Sequence, residues 1–145
     1  MEIKIAIQGI EMAAFEIKPR PKDIQIEQFS IDLKITILPD PLKKMAIAVT
    51  NIGVKDANNI NKLASISVFF IYRIENFEEV FPFENDIYLI PDEARHMINS
   101  ISISTIRGML FSMLQGTYLQ RAIIPIINVS LLTAEIKEPD LQIKE

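Results

Sequence analysis

Hydrophobic and polar residues alternate along much of the first half of the chain. The alternation is strictest from Phe29 to Ile37, where apolar side chains occupy the odd positions and polar ones the even positions. Successive side chains of a strand point to opposite faces, so this pattern predicts a β-strand with one buried and one wet face. Pro39 and Pro41 then end the strand, because proline cannot donate to a ladder and favours turns.

Two further strands are predicted downstream. Met45 to Val54 alternates with a change of phase at Thr50-Asn51, which predicts a bulge there. The polar segment from Lys55 to Lys62 predicts a hairpin loop. Leu63 to Ile74 is apolar on both faces in its central part, as expected for an interior strand.

The chain before these strands predicts another one. Glu2 to Ile17 has the composition of a long first strand with phase slips, and Gly9 suits a kink within it. Four strands joined in sequence order predict an antiparallel meander over residues 1–75.

The second half changes to helical spacing. Apolar residues recur every three or four positions from Ile98 to Leu114, which predicts a helix. Pro91-Asp92-Glu93 suits its start, since acids stabilise the positive end of the helix dipole, and Gly116 suits the position after its last turn. The two-residue rhythm of Ser100 to Ser104 leaves a break in the helix open.

The remaining segments complete an α+β layout. Glu78 to Pro91 is too interrupted by proline for a regular element, and Ile123 to Ile127 is predicted to be extended. Asn128-Val129-Ser130 is predicted to cap a short final helix through Ala134. We therefore expect a single domain over 1–145, with a four-stranded antiparallel meander sheet, helices in 92–136 packed on one face, and a charged tail, 137–145.

Composition indicates more apolar surface than one protomer hides. Hydrophobic residues make up 49% of the 145 residues, and the mean hydropathy is +0.22. This favours an oligomer interface or an exposed apolar patch.

The net charge of -4 argues against nucleic acid as a partner. Apolar runs such as Ala122 to Ile127 fall far short of the ~20 residues that span a bilayer, and the N-terminus lacks the layout of a signal peptide. We expect a cytoplasmic protein without membrane insertion.

Catalytic signatures are missing from the sequence. His96 is the single histidine, there is no cysteine, and the four glycines are too scattered to cradle a phosphate. The acidic pairs Glu78-Glu79 and Asp92-Glu93 are typical of solvated surface. The sequence therefore predicts no enzyme, no cofactor and no metal site.

A set of motifs in the C-terminal half carries a resemblance. Arg107 lies within the predicted helix and is followed by Ser112-Met113-Leu114, Gly116-Thr117 and the segment from Ile123 to Asn128 with its central proline. In this order and spacing they resemble SecB, the bacterial export chaperone family. The four preceding strands and the pair Phe15-Glu16 fit the same family pattern.

The resemblance implies a SecB-like fold and an ATP-independent chaperone that binds unfolded or precursor polypeptides, with a role in protein export left open. It also implies a homotetramer built as a dimer of dimers, with the long helix between the dimers. The residues expected at the oligomer interface are Ile106, Met109, Leu110 and Met113, and those expected to bind clients are Phe69, Ile71, Phe81, Phe83 and Tyr88.

Departures from the family pattern keep other functions open. The family docks the translocation motor SecA through acidic sheet residues, whereas only Glu16 matches here and Met12 stands where an aspartate is expected. Glu16 is thus a candidate docking residue, with motor binding undecided. The alternatives are a SecB-fold adaptor or antitoxin-type chaperone dedicated to one partner, and a hot-dog-like acyl-thioester enzyme, which needs strands after the long helix.

Overall fold

The computed structural model describes residues 2–21, 28–57 and 61–127. Its main sheet contains the four predicted strands, which are β1 Ile5–Ile17, β2 Phe29–Asp40, β3 Met45–Asp56 and β4 Lys62–Ile74. The elements that follow are the short helix α1 Phe77–Val80, the two-residue strands β5 Phe83–Glu84 and β6 Ile87–Tyr88, and the long helix α2 Asp92–Leu114. The predicted α+β fold, with an antiparallel sheet followed by a helix on one face, is confirmed.

The strand order differs from a simple meander. The sheet runs β1-β4-β3-β2, so β2, β3 and β4 are joined by hairpins while β1 pairs with the far side of β4. This is a Greek-key arrangement, with β1 and β2 at the two edges. The two-sided apolar composition of β4 matches its interior position between β1 and β3.

The predicted bulge at Thr50-Asn51 is wrong. β2 and β3 pair in unbroken register, and the buried face of β3 carries Ala46 and Ala48. The larger Ile47 and Val49 therefore lie on the outer face, meaning the sheet face that points away from α2. α2 contacts β3 and β4, and small alanines beneath a helix allow it to approach the sheet closely.

The predicted phase slips of β1 are confirmed as two register shifts. One lies between Ile7 and Gly9 and the other between Met12 and Ala14. Each inserts one residue and reverses the alternation that follows it. The two shifts together keep the larger apolar residues of β1 on the side of the sheet that carries α2, which we call the helix side.

α2 is continuous through the Ser100 to Ser104 segment, so the break left open above does not occur. Gly116 follows the C-cap with a φ of 79°, as predicted for a helix stop. By length and composition α2 could cross a membrane, and 39% of its most apolar window is buried inside the protomer. The predicted final helix after Asn128 and the tail 137–145 lie outside the described residues.

The segment between the sheet and α2 is more regular than predicted. It holds α1 and a hairpin formed by β5 and β6. Asn85 and Asp86 form the hairpin turn with positive φ values of 53° and 64°, which matches the two-residue turn that suits the twist of paired strands.

The core between the sheet and α2 contains a buried pair of hydroxyl groups. The Tyr72 hydroxyl and the Ser102 hydroxyl lie 2.7 Å apart and are both buried. Burial raises the pKa of Tyr72, while the hydrogen bond to Ser102 lowers it by a smaller amount. Arg95 is also buried, and burial lowers its pKa while the charge of Asp92 acts in the opposite direction.

The raised pKa of Tyr72 predicts that the protein loses stability at alkaline pH. Because its folded pKa is raised, the stabilisation is complete below the unfolded pKa of about 10 and disappears as the pH rises through the folded value. Tyr72→Phe should reduce this alkaline loss, yet cost about 1–2 kcal/mol at neutral pH because the Ser102 hydroxyl loses its partner. Urea unfolding of both proteins at neutral and alkaline pH measures the difference. Equal alkaline losses in the two proteins would contradict the assignment to Tyr72.

Candidate functional site

A cluster of four aromatic rings connects the core to the surface after β4. Phe77 and Phe81 pack at 5.2 Å between ring centroids, Phe77 and Tyr88 at 5.7 Å, and Tyr88 and Phe83 at 4.7 Å. These separations are typical of favourable aromatic pairs. Phe77 and Phe81 are fully buried, Tyr88 is half-buried, and Phe83 is 57% exposed. The ring of Phe83 is thus presented to solvent on a support that reaches into the core.

The aromatic hairpin, residues 83–88, is held at its base by hydrogen bonds. The Leu89 N–H donates to the Pro82 carbonyl at 2.8 Å. Upstream, the Asn76 side chain accepts from the Lys4 N–H at 3.0 Å and donates to the Glu2 carbonyl at 2.6 Å. The N-terminal segment and α1 are therefore fixed to each other, which places the hairpin at one end of the sheet.

The predicted client-binding residues fall into three different environments. Phe83 and Tyr88 belong to the aromatic hairpin, whereas Phe69 and Ile71 are half-buried on the outer face of β4. Phe81 is part of the core, because its N–H bonds to the Phe77 carbonyl at 2.8 Å and its ring packs on Phe77. We therefore leave Phe81 out of the candidate surface.

The outer face carries an apolar block in the middle of the sheet. In the strand register, Val49 lies opposite Phe69 and Ile47 lies opposite Ile71. All four side chains are half-buried. This block, residues 47, 49, 69 and 71, faces away from α2, and no described element packs over it.

A second apolar row on β1 was not singled out from the sequence. Ile7, Ile10, Met12 and Phe15 are 38–48% exposed. Their register partners, such as Phe70 and Val68, are fully buried, so this β1 row lies on the helix side but beyond the edge of α2. The sequence does contain a signal for this row. The large apolar residues of β1 shift from odd to even positions and back again within the strand.

The predicted interface residues on α2 also separate. Ile106 and Leu110 are buried in the core of the protomer, 0% and 1% exposed, and are not on its surface. Met109 and Met113 are partly buried and lie at the border of that core. The predicted set thus mixed the sheet-facing side of α2 with its flank, because helical spacing alone does not say which neighbour covers a stripe.

The solvent side of α2 carries small residues and one large ring. Ser104, Gly108 and Ser112 are exposed at successive turns, and Phe111 is 48% exposed beside them. A Cβ added at Gly108 would meet no atom within 4 Å. Glycine inside a helix costs roughly 0.5–1 kcal/mol relative to alanine, and nothing within the described protomer requires it there.

Two residues fix the chain after α2. Arg107 donates from Nε to the Ile124 carbonyl and from Nη2 to the Pro125 carbonyl, each at 3.0 Å. The Tyr118 hydroxyl donates to the Lys18 carbonyl at 2.7 Å, which connects the end of α2 to the end of β1. Burial raises the pKa of Tyr118, and the charge of Arg20 opposes the rise. The extended segment 122–127 is therefore attached along the flank of α2.

Other chemistry has little support within the described ranges. His96 is exposed on α2, and in residues 2–21, 28–57 and 61–127 no three His, Asp or Glu side chains are placed to hold a metal ion. Glu16, the candidate docking residue, is exposed on the outer face of β1 opposite Ser65. No strand follows α2 as far as residue 127, which disfavours the hot-dog-like alternative.

No protein-family model matches the chain, and no curated protein sequence matches it. Among solved structures, the fold is similar to a SecB-like chaperone of Mycobacterium tuberculosis in complex with a ChAD peptide from the HigA1 antitoxin. The TM-score is 0.50 and the identity 12%, and the alignment covers 86% of this chain and 88% of that chain. At this identity the likeness shows a shared fold, and the SecB-like α+β architecture is confirmed at that level.

The different burial of the two phenylalanines flanking Pro82 is directly testable. Phe81→Ala should lower the free energy of unfolding by about 3–5 kcal/mol, because it leaves a cavity in the ring cluster. Phe83→Ala should change it by no more than about 0.5 kcal/mol, because that ring is mostly exposed. Urea unfolding of both variants measures the contrast. Similar losses would show that Phe83 is packed and not available on the surface.

Proposed function

We propose that this protein is an ATP-independent chaperone that holds unfolded polypeptides on the apolar surfaces of a homo-oligomer. The observation that supports it most is the exposed, core-supported ring of Phe83 beside Tyr88. The described elements of the protomer also leave the outer apolar block uncovered. The SecB-like fold is consistent with this function. No nucleotide, metal or cofactor takes part in the proposed binding.

Contact area sets the scale of client binding. Burying apolar surface contributes about 25 cal/mol per Å², so covering two or three such side chains yields several kcal/mol gross. Ordering a flexible client takes back about 2–5 kcal/mol. We therefore expect affinities from micromolar to sub-micromolar, with tolerance for client sequence. Both the aromatic hairpin and the outer apolar block are proposed contact surfaces.

The proposed assembly is a homotetramer formed as a dimer of dimers. Two apolar surfaces support it, the solvent side of α2 with Gly108 and Phe111, and the β1 row at an exposed sheet edge. Long apolar edge strands associate unless they are covered. Met109 and Met113 remain proposed interface residues at the flank of α2, while Ile106 and Leu110 support the helix from within the core. We expect the assembly in the cytoplasm.

Docking of the export motor is not part of the proposed function. On the outer face Glu16 lies opposite Ser65, whereas Glu11, the other acidic residue of β1, lies opposite Phe69, four ladder positions away. β1 exposes Met12 at the position of the expected aspartate. A single exposed carboxylate gives little binding energy.

A second candidate function is that of an adaptor dedicated to one partner. The similar structure from Mycobacterium tuberculosis holds a peptide from an antitoxin, which favours this candidate at the level of the fold. The two functions differ in client range. A general chaperone holds several unrelated unfolded proteins, whereas an adaptor retains one partner, most readily sought among the products of neighbouring genes.

Suppression of aggregation tests the chaperone proposal. The wild type should prevent aggregation of several chemically denatured model proteins without nucleotide, as followed by light scattering. Phe83→Ser should weaken this by about three- to tenfold while the melting temperature stays within a few degrees, because the lost contact is at the surface. Ile126→Ser is the matched control, since Ile126 is 96% exposed but lies near Arg107, roughly 20 Å along α2 from the hairpin.

Three outcomes would contradict or redirect the chaperone proposal. Equal effects of Phe83→Ser and Ile126→Ser would remove the hairpin as a specific client surface. A wild type that ignores every denatured client would exclude a general chaperone. A wild type that ignores them but binds one partner tightly would support the dedicated adaptor.

Gly108 provides a clean test of assembly. The wild type should scatter light as a particle of about 66 kDa, four chains of 16.5 kDa. Gly108→Leu should reduce this mass, because a larger side chain keeps a neighbouring helix away, while the protomer itself has room for it. His96→Leu adds the same side chain at another exposed position of α2 and should leave the mass unchanged. A monomeric wild type, or a Gly108→Leu variant of unchanged mass, would contradict this interface.

A further inference from the structure

The outer face contains a polar concavity next to the apolar block. It has a volume of about 580 Å³ and lies across β2, β3 and β4 at the sheet end opposite α1. Its floor is made of small residues, including Gly53, Ser65 and Ser67. A Cβ at Gly53 would meet Lys62 Cε at 3.6 Å and Asp32 Cβ at 3.9 Å, so both side chains lean over the floor.

The charged residues lining this basic concavity are three lysines and one aspartate. Lys55 and Lys62 are direct cross-strand neighbours, an arrangement that is unfavourable unless an anion lies between the two charges. Asp32 supplies one carboxylate, 2.6 Å from the Lys55 ammonium. Within the described ranges, Lys34 and Lys62 have no ion pair of their own. The charged residues lining the basic concavity therefore carry a net positive charge.

The spacing of the two lysines without ion pairs favours an extended ligand. Lys34 aligns with Asn51 on β3, while Lys62 aligns with Lys55, four positions further along that strand. With strands about 4.8 Å apart and about 3.4 Å per residue, their Cα atoms are roughly 17 Å apart. A single small anion cannot contact both ammonium groups unless both side chains fold inward. An extended chain with several acidic groups reaches both.

The adjoining surface narrows the class of ligand. The apolar block begins at the cross-strand pair Val49 and Phe69, which directly follows the pair Asn51 and Ser67 on the floor of the basic concavity. A ligand that covers both parts must carry apolar groups beside anionic ones. A polypeptide segment meets this requirement, whereas inorganic phosphate and the backbone of nucleic acid match only the charged part.

We infer that the outer face of the sheet binds an extended polypeptide segment in which acidic residues adjoin an apolar stretch. The acidic residues contact Lys34 and Lys62 in the basic concavity, and the apolar residues cover the apolar block. This inference rests on the proposed polypeptide-binding function and adds a charge preference to it. The preferred partners are acidic segments, although the protein itself is negatively charged overall.

Two fluorescent peptides with the same apolar core test the inference. One peptide carries aspartates beside the core, and the other carries lysines. The full-length protein should bind the acidic peptide at least about tenfold more tightly at low salt, and the preference should shrink near 1 M salt, where the screening length is about 3 Å. The double variant Lys34→Glu/Lys62→Glu should abolish or reverse the preference. Fluorescence anisotropy measures all four affinities.

A control variant with the same change of net charge separates local from overall charge. Lys4→Glu/Lys43→Glu alters two exposed lysines at the opposite end of the sheet, where neither lines the basic concavity. This variant should keep the preference for the acidic peptide. If it loses the preference as fully as Lys34→Glu/Lys62→Glu does, overall charge is responsible and the inference is wrong.

The remaining outcomes distinguish this inference from the proposed function. Suppression of client aggregation with equal binding of both peptides would overturn the charge preference and leave the chaperone proposal intact. Failure to bind any unfolded client or either peptide would overturn both. Binding of inorganic polyphosphate or an RNA oligonucleotide as tightly as the acidic peptide, with the same dependence on Lys34 and Lys62, would replace the peptide with a phosphate ligand.

Discussion

The sheet of this protein is wider than the long helix that packs on it. Four strands span about 15–20 Å, whereas a single helix with its side chains is about 10–12 Å across. α2 packs on β3 and β4, while the middle of β1 remains exposed on the same side of the sheet. The protomer therefore buries one core between α2 and the sheet and leaves the β1 row exposed beside it. The outer face and the solvent side of α2 are exposed for another reason, because no described element packs on them. The proposed functions use these exposed surfaces together with the aromatic hairpin.

Local features of the chain keep that surface organised. Two register shifts hold the apolar residues of β1 on the helix side, and two positive φ values at Asn85 and Asp86 close the aromatic hairpin. Asn76 fixes the base of this region to the N-terminal segment, and Arg107 attaches the segment after α2. The exposed apolar groups thus sit on a supported framework, which lowers the ordering cost of binding a partner.

The outer face combines an apolar surface and a basic surface within one sheet. Its middle carries the apolar block, and its end carries the basic concavity with a floor of serine and glycine. Backbone groups of interior strands are already paired in the ladder, so side chains alone present chemistry to a ligand on such a face. Small residues at the floor and long lysines at the rim make the surface concave. In the inferred complex with a polypeptide segment, apolar contact gives affinity and the lysine charges give selectivity.

Several elements of the fold follow from the sequence because their causes are local. The alternation of Phe29 to Ile37, the two-sided composition of β4 and the acidic start of α2 each predict their element within a few residues. Gly116 marks the helix end, since its left-handed φ is strained for other residues. The phase slips of β1 are also visible in the sequence. Periodicity within a segment is a property of that segment alone.

Tertiary structure decided which neighbour covers each apolar stripe. Helical spacing did not distinguish Ile106 and Leu110, which face the sheet, from Met109 and Met113 at the flank. Alternation placed Ile47 and Val49 on one face of β3 without saying which face is covered, and the structure places Ala46 and Ala48 under α2. Strand order and the convergence of lysines at the basic concavity depend on pairings between residues far apart in the chain. The sequence determined which elements form, whereas long-range pairing and the limited width of one helix determined which faces remain exposed.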